Sequence, residues 1–248
     1  MTETQIQEKI EVHIIGTSHI ASESVEKIQT VSQTVNTDLI CVELDRQRLS
    51  GLLHPDTKKP SFFTMLRQVG AFGALFVYFG GKIQSYLGKK YGLKPGSDML
   101  SAIEYAKTHS IKAALIDQPI HITLSRLSKK MTFFEYGRMF WETSMSFLFP
   151  KKTAKKYHLH ELQLSSVPST KVIQKLLKLV EEKYPTIYTC LIEERNIYMS
   201  QRIIRLVQSQ NFRRIVVVVG AGHVPGMKKI LDKKEVVSIP YEIIYHEN

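Results

Sequence analysis

The segment RRIVVVVG, residues 213–220, constrains the fold more than any other stretch of the chain. Five consecutive β-branched residues, Ile215 to Val219, leave no polar face for water. A strand of this kind must be covered on both sides, which is the situation of a strand inside a parallel sheet flanked by helices. Other segments supply its neighbours. EVHII (11–15) is rich in β-branched residues and stops at Gly16, and DLICVEL (38–44) is a second continuous apolar run. Between them SESVEKIQTVSQTV (22–35) reads as a helix, with Ser22 as N-cap and Val25, Ile28 and Val31 on one face. Strand, helix and strand within about 30 residues make a βαβ unit. KAALID (112–117) and YEIIYH (241–246) read as two further strands, and HVPGMKKILDKK as a short helix.

Residues 45–112 are otherwise helical in pattern, with loop signals at HPDTKKP (54–60) and GLKPGSD (92–98). Residues 120–211 are helical too, broken at Pro150, Pro168 and Pro185. The expected architecture is a single α/β domain over 1–248, with a mainly parallel central sheet whose strands come from both chain ends. A large helical insertion, about 60–111, fills the middle, and a helical region covers about 120–211.

Two strand runs end in the same pattern, Gly-x-x-His: Gly16-Thr17-Ser18-His19 and Gly220-Ala221-Gly222-His223. Ligands bind beyond the carboxyl ends of strands in open parallel sheets. His19 and His223 follow two such ends, and Glu43 and Asp117 stand at two more. Gly16, Gly220 and Gly222 are expected to end the strands and let the histidines fold back over the sheet edge. A single histidine in such a place is most simply a capped or solvent-facing ring. Two imidazoles beside a carboxylate suit a divalent metal such as Mn, Co or Zn, held by His19, Glu43 and His223, or by the two histidines alone with Glu43 as general base.

Three arginines accompany these groups. Arg48 follows Glu43 by five residues at the start of a helix, Arg126 lies in ITLSRL after the third strand, and Arg195 follows Glu194. Ile192, Met199 and Ile203 share a helical face with Arg195, so this cation sits on an apolar stripe and needs a carboxylate. That partner is either a local glutamate or a group in the cleft. Other motifs fail. GAGHVPG has Pro225 where a dinucleotide fingerprint needs its third glycine, and GTSHI has Ile20 where a nucleophile elbow needs glycine. HLHELQL has Leu164 where HExxH needs histidine.

Charge and cysteine usage narrow the setting. A formal net charge of +11 favours anionic surroundings, although much of it is solvated lysine. The clusters KKTAKKYH (151–158) and KKILDKK (228–234) carry no stacking aromatics in a nucleic-acid pattern, so no nucleic-acid partner is expected. Cys41 and Cys190 lie in apolar runs and make no disulfide framework, which favours a reducing, cytoplasmic setting. The polar N-terminus predicts no signal peptide. The longest uncharged apolar run, VGAFGALFVYFGG (69–81), is too short for a transmembrane helix, which needs about 20 residues. It reads either as a buried helix or as one lying on a membrane face, and MTFFEYGRMFWETSMSFLFP (131–150) as an amphipathic helix.

Six pieces in order, GTSHIASESV, VELDRQRL, PGSDMLSAIEYAK, LIDQPIHITLSRL, ERNIYMSQRI and VVVVGAGHVPGM, resemble the TraB/PrgY family, part of a wider group with GumN and Tiki proteins. The resemblance implies an α/β fold like that of erythromycin esterase (EreA) and ChaN. It implies two GxxH motifs, a glutamate and an arginine as shared site elements, which match His19, His223, Glu43 and Arg48. Tiki relatives are metal-dependent proteases, TraB and PrgY limit a peptide pheromone (pheromone shutdown), and ChaN-like relatives bind haem. Two positions depart from the family pattern: Asp117-Gln118-Pro119 replaces Asp-Arg-Asp, and Asp98 replaces a glutamate.

The expectation is a hydrolase with a divalent metal ion, acting as a metalloprotease on short peptides. Glu43, Arg48, Arg126, Glu194 and Arg195 are the candidate catalytic residues, and Asp98 and Asp117 the candidate substrate contacts. The alternatives are a non-catalytic regulator that sequesters a peptide signal and a haem-binding protein. Association with a membrane surface and a homo-oligomer are both compatible with this composition.

Overall fold

A computed structural model describes residues 9–17, 22–54, 61, 63–70, 73–74, 77, 96–148, 170–233 and 241–246. Five strands form one sheet: β1 (Ile10–Thr17), β2 (Leu39–Val42), β3 (Lys112–Leu115), β4 (Arg214–Gly220) and β5 (Tyr241–His246). Around it, in chain order, lie α1 (Ser22–Thr34), α2 (Arg46–Leu53), α3 (Ser97–Thr108), α4 (Ile120–Lys130), α5 (Phe133–Leu148), α6 (Thr170–Lys183) and α7 (Pro185–Tyr188). A π-helical turn, Thr189–Glu193, leads into α8 (Glu194–Ser209), and α9 (Val224–Leu231) follows β4.

The strand order is β3-β2-β4-β1-β5, and every pairing is parallel. β4 is central, with Val217 opposite Ile14 on one side and Cys41 on the other. Its valines divide between two cores. Ile215, Val217 and Val219 pack with Met199, Ile203 and Val207 of α8 and Met227 and Leu231 of α9. Val216 and Val218 pack with Ile28 of α1 and Met99, Ala102 and Ala106 of α3. The apolar run was therefore a correct sign of two-sided cover, and the α/β class with strands from both chain ends holds.

Boundaries differ in ways that matter for the site. The run 38–44 pairs only over Leu39–Val42, and 112–117 only over Lys112–Leu115. Glu43 and Asp117 therefore lie just past their strands, where the side chains leave the sheet alternation. Gly16 lies inside β1 and Gly220 ends β4. Neither these nor Gly222 has positive φ; among the described glycines only Gly70 and Gly96 do. Gly220 ends β4 and a turn follows it, as expected, whereas Gly16 permits a close approach, since a Cβ there would meet Val224 Cγ2 at 3.0 Å and the Ala221 backbone at 3.3 Å.

Most of the run 69–81 lies outside the described residues, as do the breaks at Pro150 and Pro168. Within it, Val69 and Ala74 are buried against Leu124 of α4. Among the described residues no helix is long and apolar enough to cross a membrane.

Candidate active site

The carboxyl edge of the sheet collects charge. Glu43, one residue beyond β2, is only 2% exposed. Its Oε2 accepts from the Gly220 N–H at 2.6 Å, so the end of β4 orients the carboxylate. Its Oε1 accepts from Arg195 Nη2 and lies 3.3 Å from His223 Nε2. Arg195 reaches Asp117 with a two-point contact, Nε to Oδ1 and Nη2 to Oδ2, both 2.9 Å. Arg48 Nη1 donates to Asp117 Oδ2 at 2.8 Å and to the Glu43 carbonyl at 3.4 Å.

Local sequence explains how these side chains are delivered. Asp45 caps α2, accepting from Gln47 N at 2.7 Å and Arg48 N at 3.1 Å, and its second oxygen accepts from Ile120 N at 3.1 Å. One carboxylate thus fixes the starts of two helices, and α2 carries Arg48. Arg195 is the second residue of α8, directly after the π turn, and its Nη1 donates back to the Leu191 carbonyl in that turn at 3.2 Å. The wider turn, a feature common at functional sites, sets the direction of this arginine. Burial works against a charged Arg195, but Glu43 and Asp117 outweigh it and hold the guanidinium protonated more firmly than usual.

His223 precedes α9 and is 5% exposed. Its Nδ1 lies 2.7 Å from Asn196 Oδ1. An amide oxygen only accepts, so the Nδ1 proton is held there and Nε2 is left facing Glu43 Oε1. A lone pair opposed to a carboxylate oxygen at 3.3 Å is unfavourable unless a proton or a cation lies with them. Gly226 permits the arrangement, because a Cβ there would run into Asn196 Nδ2.

Not all candidate residues converge. His19 lies outside the described residues. Asp98 is buried, accepts from the Thr17 hydroxyl and from Met99 N at 2.8 Å, and ties the start of α3 to the end of β1. Arg126 and Glu194 pair with one another at 3.0 Å, and Lys130 joins them at 2.7 Å. Among the described residues, no group of three or more His, Cys, Asp or Glu is placed to hold a metal ion. Sequence reasoning missed Asn196, Asp45 and Thr17. Asp45 carried a signal, since Asp directly before a helical RQRL is a capping pattern. Asn196 carried only its place beside Arg195.

Three carboxylates away from the cleft are poised to make the fold acid-sensitive. Burial raises Glu135, but the Thr132 and Thr186 N–H groups, at 3.0 and 2.8 Å, outweigh it and hold the carboxyl below its usual value. Glu194 with Lys130 and Arg126, and Asp38 with the Arg213 and Arg214 backbone, behave alike. A depressed value in the folded state means the unfolded chain binds the proton more readily. The contribution is therefore complete above the unfolded value of about 4 and disappears as pH falls through the folded one. Glu135→Gln is expected to lower the urea midpoint at pH 7, with the difference from the parent chain shrinking below about pH 4. A difference that stays constant into acid would deny Glu135 this role.

Fold and site together define an all-parallel α/β protein with a buried histidine–carboxylate–arginine cluster at the strand ends. The sequence pattern of the TraB/PrgY/gumN family matches residues 4–236, so the chain belongs to that family. An uncharacterized protein of Methanocaldococcus jannaschii is 36% identical over 226 residues, covering 91% of this chain and 54% of its own length. TraB domain-containing proteins of mouse and human are each 21% identical over 267 residues, covering 97% of this chain and 69% of theirs. The chain thus spans about half of the archaeal relative and about two thirds of the mammalian ones.

Proposed function

We propose that the strand-end cluster is the active site of a metal-dependent hydrolase acting on short peptides. The observation that carries this reading is the pair His223 and Glu43. Asn196 holds the imidazole by Nδ1 and turns Nε2 toward the carboxylate, which is how histidine ligands of metal ions are commonly oriented. The donor set fits a borderline divalent ion, with His223 and Glu43 as two ligands and His19, placed by sequence after β1, as the third. Such an ion would supply Lewis acidity toward a peptide carbonyl. The chain's own residues do the remainder. Arg195 bridges Glu43 and Asp117 and fixes their spacing. Arg48 is the more exposed guanidinium, 33% against 13%, and so the better placed to hold a substrate carboxylate.

One observation favours a second reading, a protein that binds a peptide without cleaving it. Both Glu43 oxygens already have partners in the Gly220 N–H and Arg195. Elemental analysis of purified protein separates the two. The hydrolase reading expects one equivalent of Mn, Co or Zn per chain, lost in His223→Ala, with peptide hydrolysis abolished by chelator and restored by metal. Metal-free protein that binds peptide equally well with and without chelator supports the binding protein and ends the hydrolase reading.

A further inference from the structure

The helix α5 presents apolar residues on both faces. Its two glutamates face inward: Glu135 bonds to Thr132 and Thr186, and Glu142 accepts from Lys183 Nζ at 2.9 Å and Tyr184 Oη at 2.8 Å. Three of its aromatic residues face outward, Phe133 and Phe134 each 87% exposed and Trp141 66%, while Tyr136 and Met139 pack inward against Leu127, Met131 and Cys190. Phe133, Gly137 and Trp141 recur every four residues, and Phe134 and Arg138 stand beside them, so they form one continuous stripe. Three exposed aromatics on one helix face go beyond scattered surface apolarity and mark an interaction site.

Charge decides the partner. Lys129, Lys130 and Arg138 are exposed around the stripe, and Glu135, the one acid between residues 129 and 138, is buried. The whole chain carries a formal +11. Aromatic rings interleaved with Lys and Arg on an exposed helix face match the boundary of an anionic bilayer, where the rings enter the headgroup layer and the cations meet lipid phosphate. At 16 residues α5 is too short to span, so it lies in the surface. We propose that the outer face of α5, built on Phe133, Phe134 and Trp141, docks this protein peripherally onto an anionic lipid bilayer. The proposal stands independently of any hydrolase activity.

Trp141 is the single tryptophan of the chain and reports its own surroundings. The full chain is to be mixed with vesicles of phosphatidylcholine containing phosphatidylglycerol, and with phosphatidylcholine alone. The expected results are a blue shift of Trp141 emission and co-sedimentation with the anionic vesicles only, both weakened by salt. Brominated lipid should quench that emission in the unaltered chain, which needs no variant to fold. Phe133→Ser/Phe134→Ser, at positions too exposed to support the core, should keep the melting temperature and weaken vesicle binding roughly tenfold or more. Emission unchanged by vesicles, or binding untouched by the double variant, overturns the proposal. A dimer in sedimentation that the double variant dissociates also overturns it and assigns the face to a second copy.

Discussion

Arg195→Met should destabilise the chain by about 3–5 kcal/mol, because it removes from a buried ionic cluster the cation that bridges two carboxylates. Glu43 and Asp117 are 2% and 5% exposed, and Arg195 is the cation that touches both. Without it the cation next to the two buried carboxylates, among the described residues, is Arg48, which contacts the Asp117 side chain and the Glu43 backbone. For a chain of this size the loss corresponds to a drop in melting temperature on the order of 10 °C. Arg195→Lys isolates the geometry from the charge. An ammonium can neutralise the cluster but cannot make the two-point contact to Asp117 while also reaching Glu43. It should melt closer to the parent chain, and on the proposed reading of the site peptide binding or hydrolysis should fall roughly tenfold or more, about 1.4 kcal/mol. Parent-like melting of Arg195→Met would show that the cluster contributes nothing to the fold.

Ile203→Ala should cost about 2–5 kcal/mol. Ile203 is 1% exposed and lies in the core between α8 and the inner residues of β4. A sheet and helix packed this closely fill a cavity only in part, so the lost contacts are not recovered. The same helix carries Arg195 and Asn196, eight and seven residues earlier, so a shift of α8 also disturbs the site. Gln208→Ala, at an exposed position of α8, serves as the control and should change stability by no more than about 0.5 kcal/mol. Urea unfolding of the two variants measures both, and equal midpoints would mean that α8 is not anchored through this face.

The sheet was legible because its signal is local and strong. The five-residue run of β4 admits no half-exposed strand, and the strand-end rule then gathers Glu43, Asp117 and His223 on one edge without any knowledge of contacts. The apolar stripe around Arg195 likewise called for a buried carboxylate partner, and the structure supplies two. Glu194 and Arg126 show where such reasoning stops. Adjacent helical residues point about 100° apart, so Glu194 turns from the cleft while its neighbour enters it. Asn196 could not be read at all, because its role depends on the meeting of α8 with the loop before α9. The orientation of α5 was equally hidden. Helical periodicity identifies two faces but does not say which one turns inward, and here the hydrogen bonds of Glu135 and Glu142 and the packing of Tyr136 and Met139 decide it.

The strand order carries a consequence for how the chain comes to be folded. β1 and β2 are not neighbours; β4 lies between them, joining Ile15 to Val218 and Val42 to Val218 across most of the sequence. As the polypeptide emerges from the ribosome, the first three strands have no central partner until residues 214–220 appear, about 100 residues after β3. Pairings of such long separation are slow to form, and unpaired strand edges invite association with other chains. From the synthesis of β1 to that of β4, about 200 residues later, the nascent protein lacks its keystone strand, and shielding of β1 and β2 during that interval falls to their flanking helices and to chaperones.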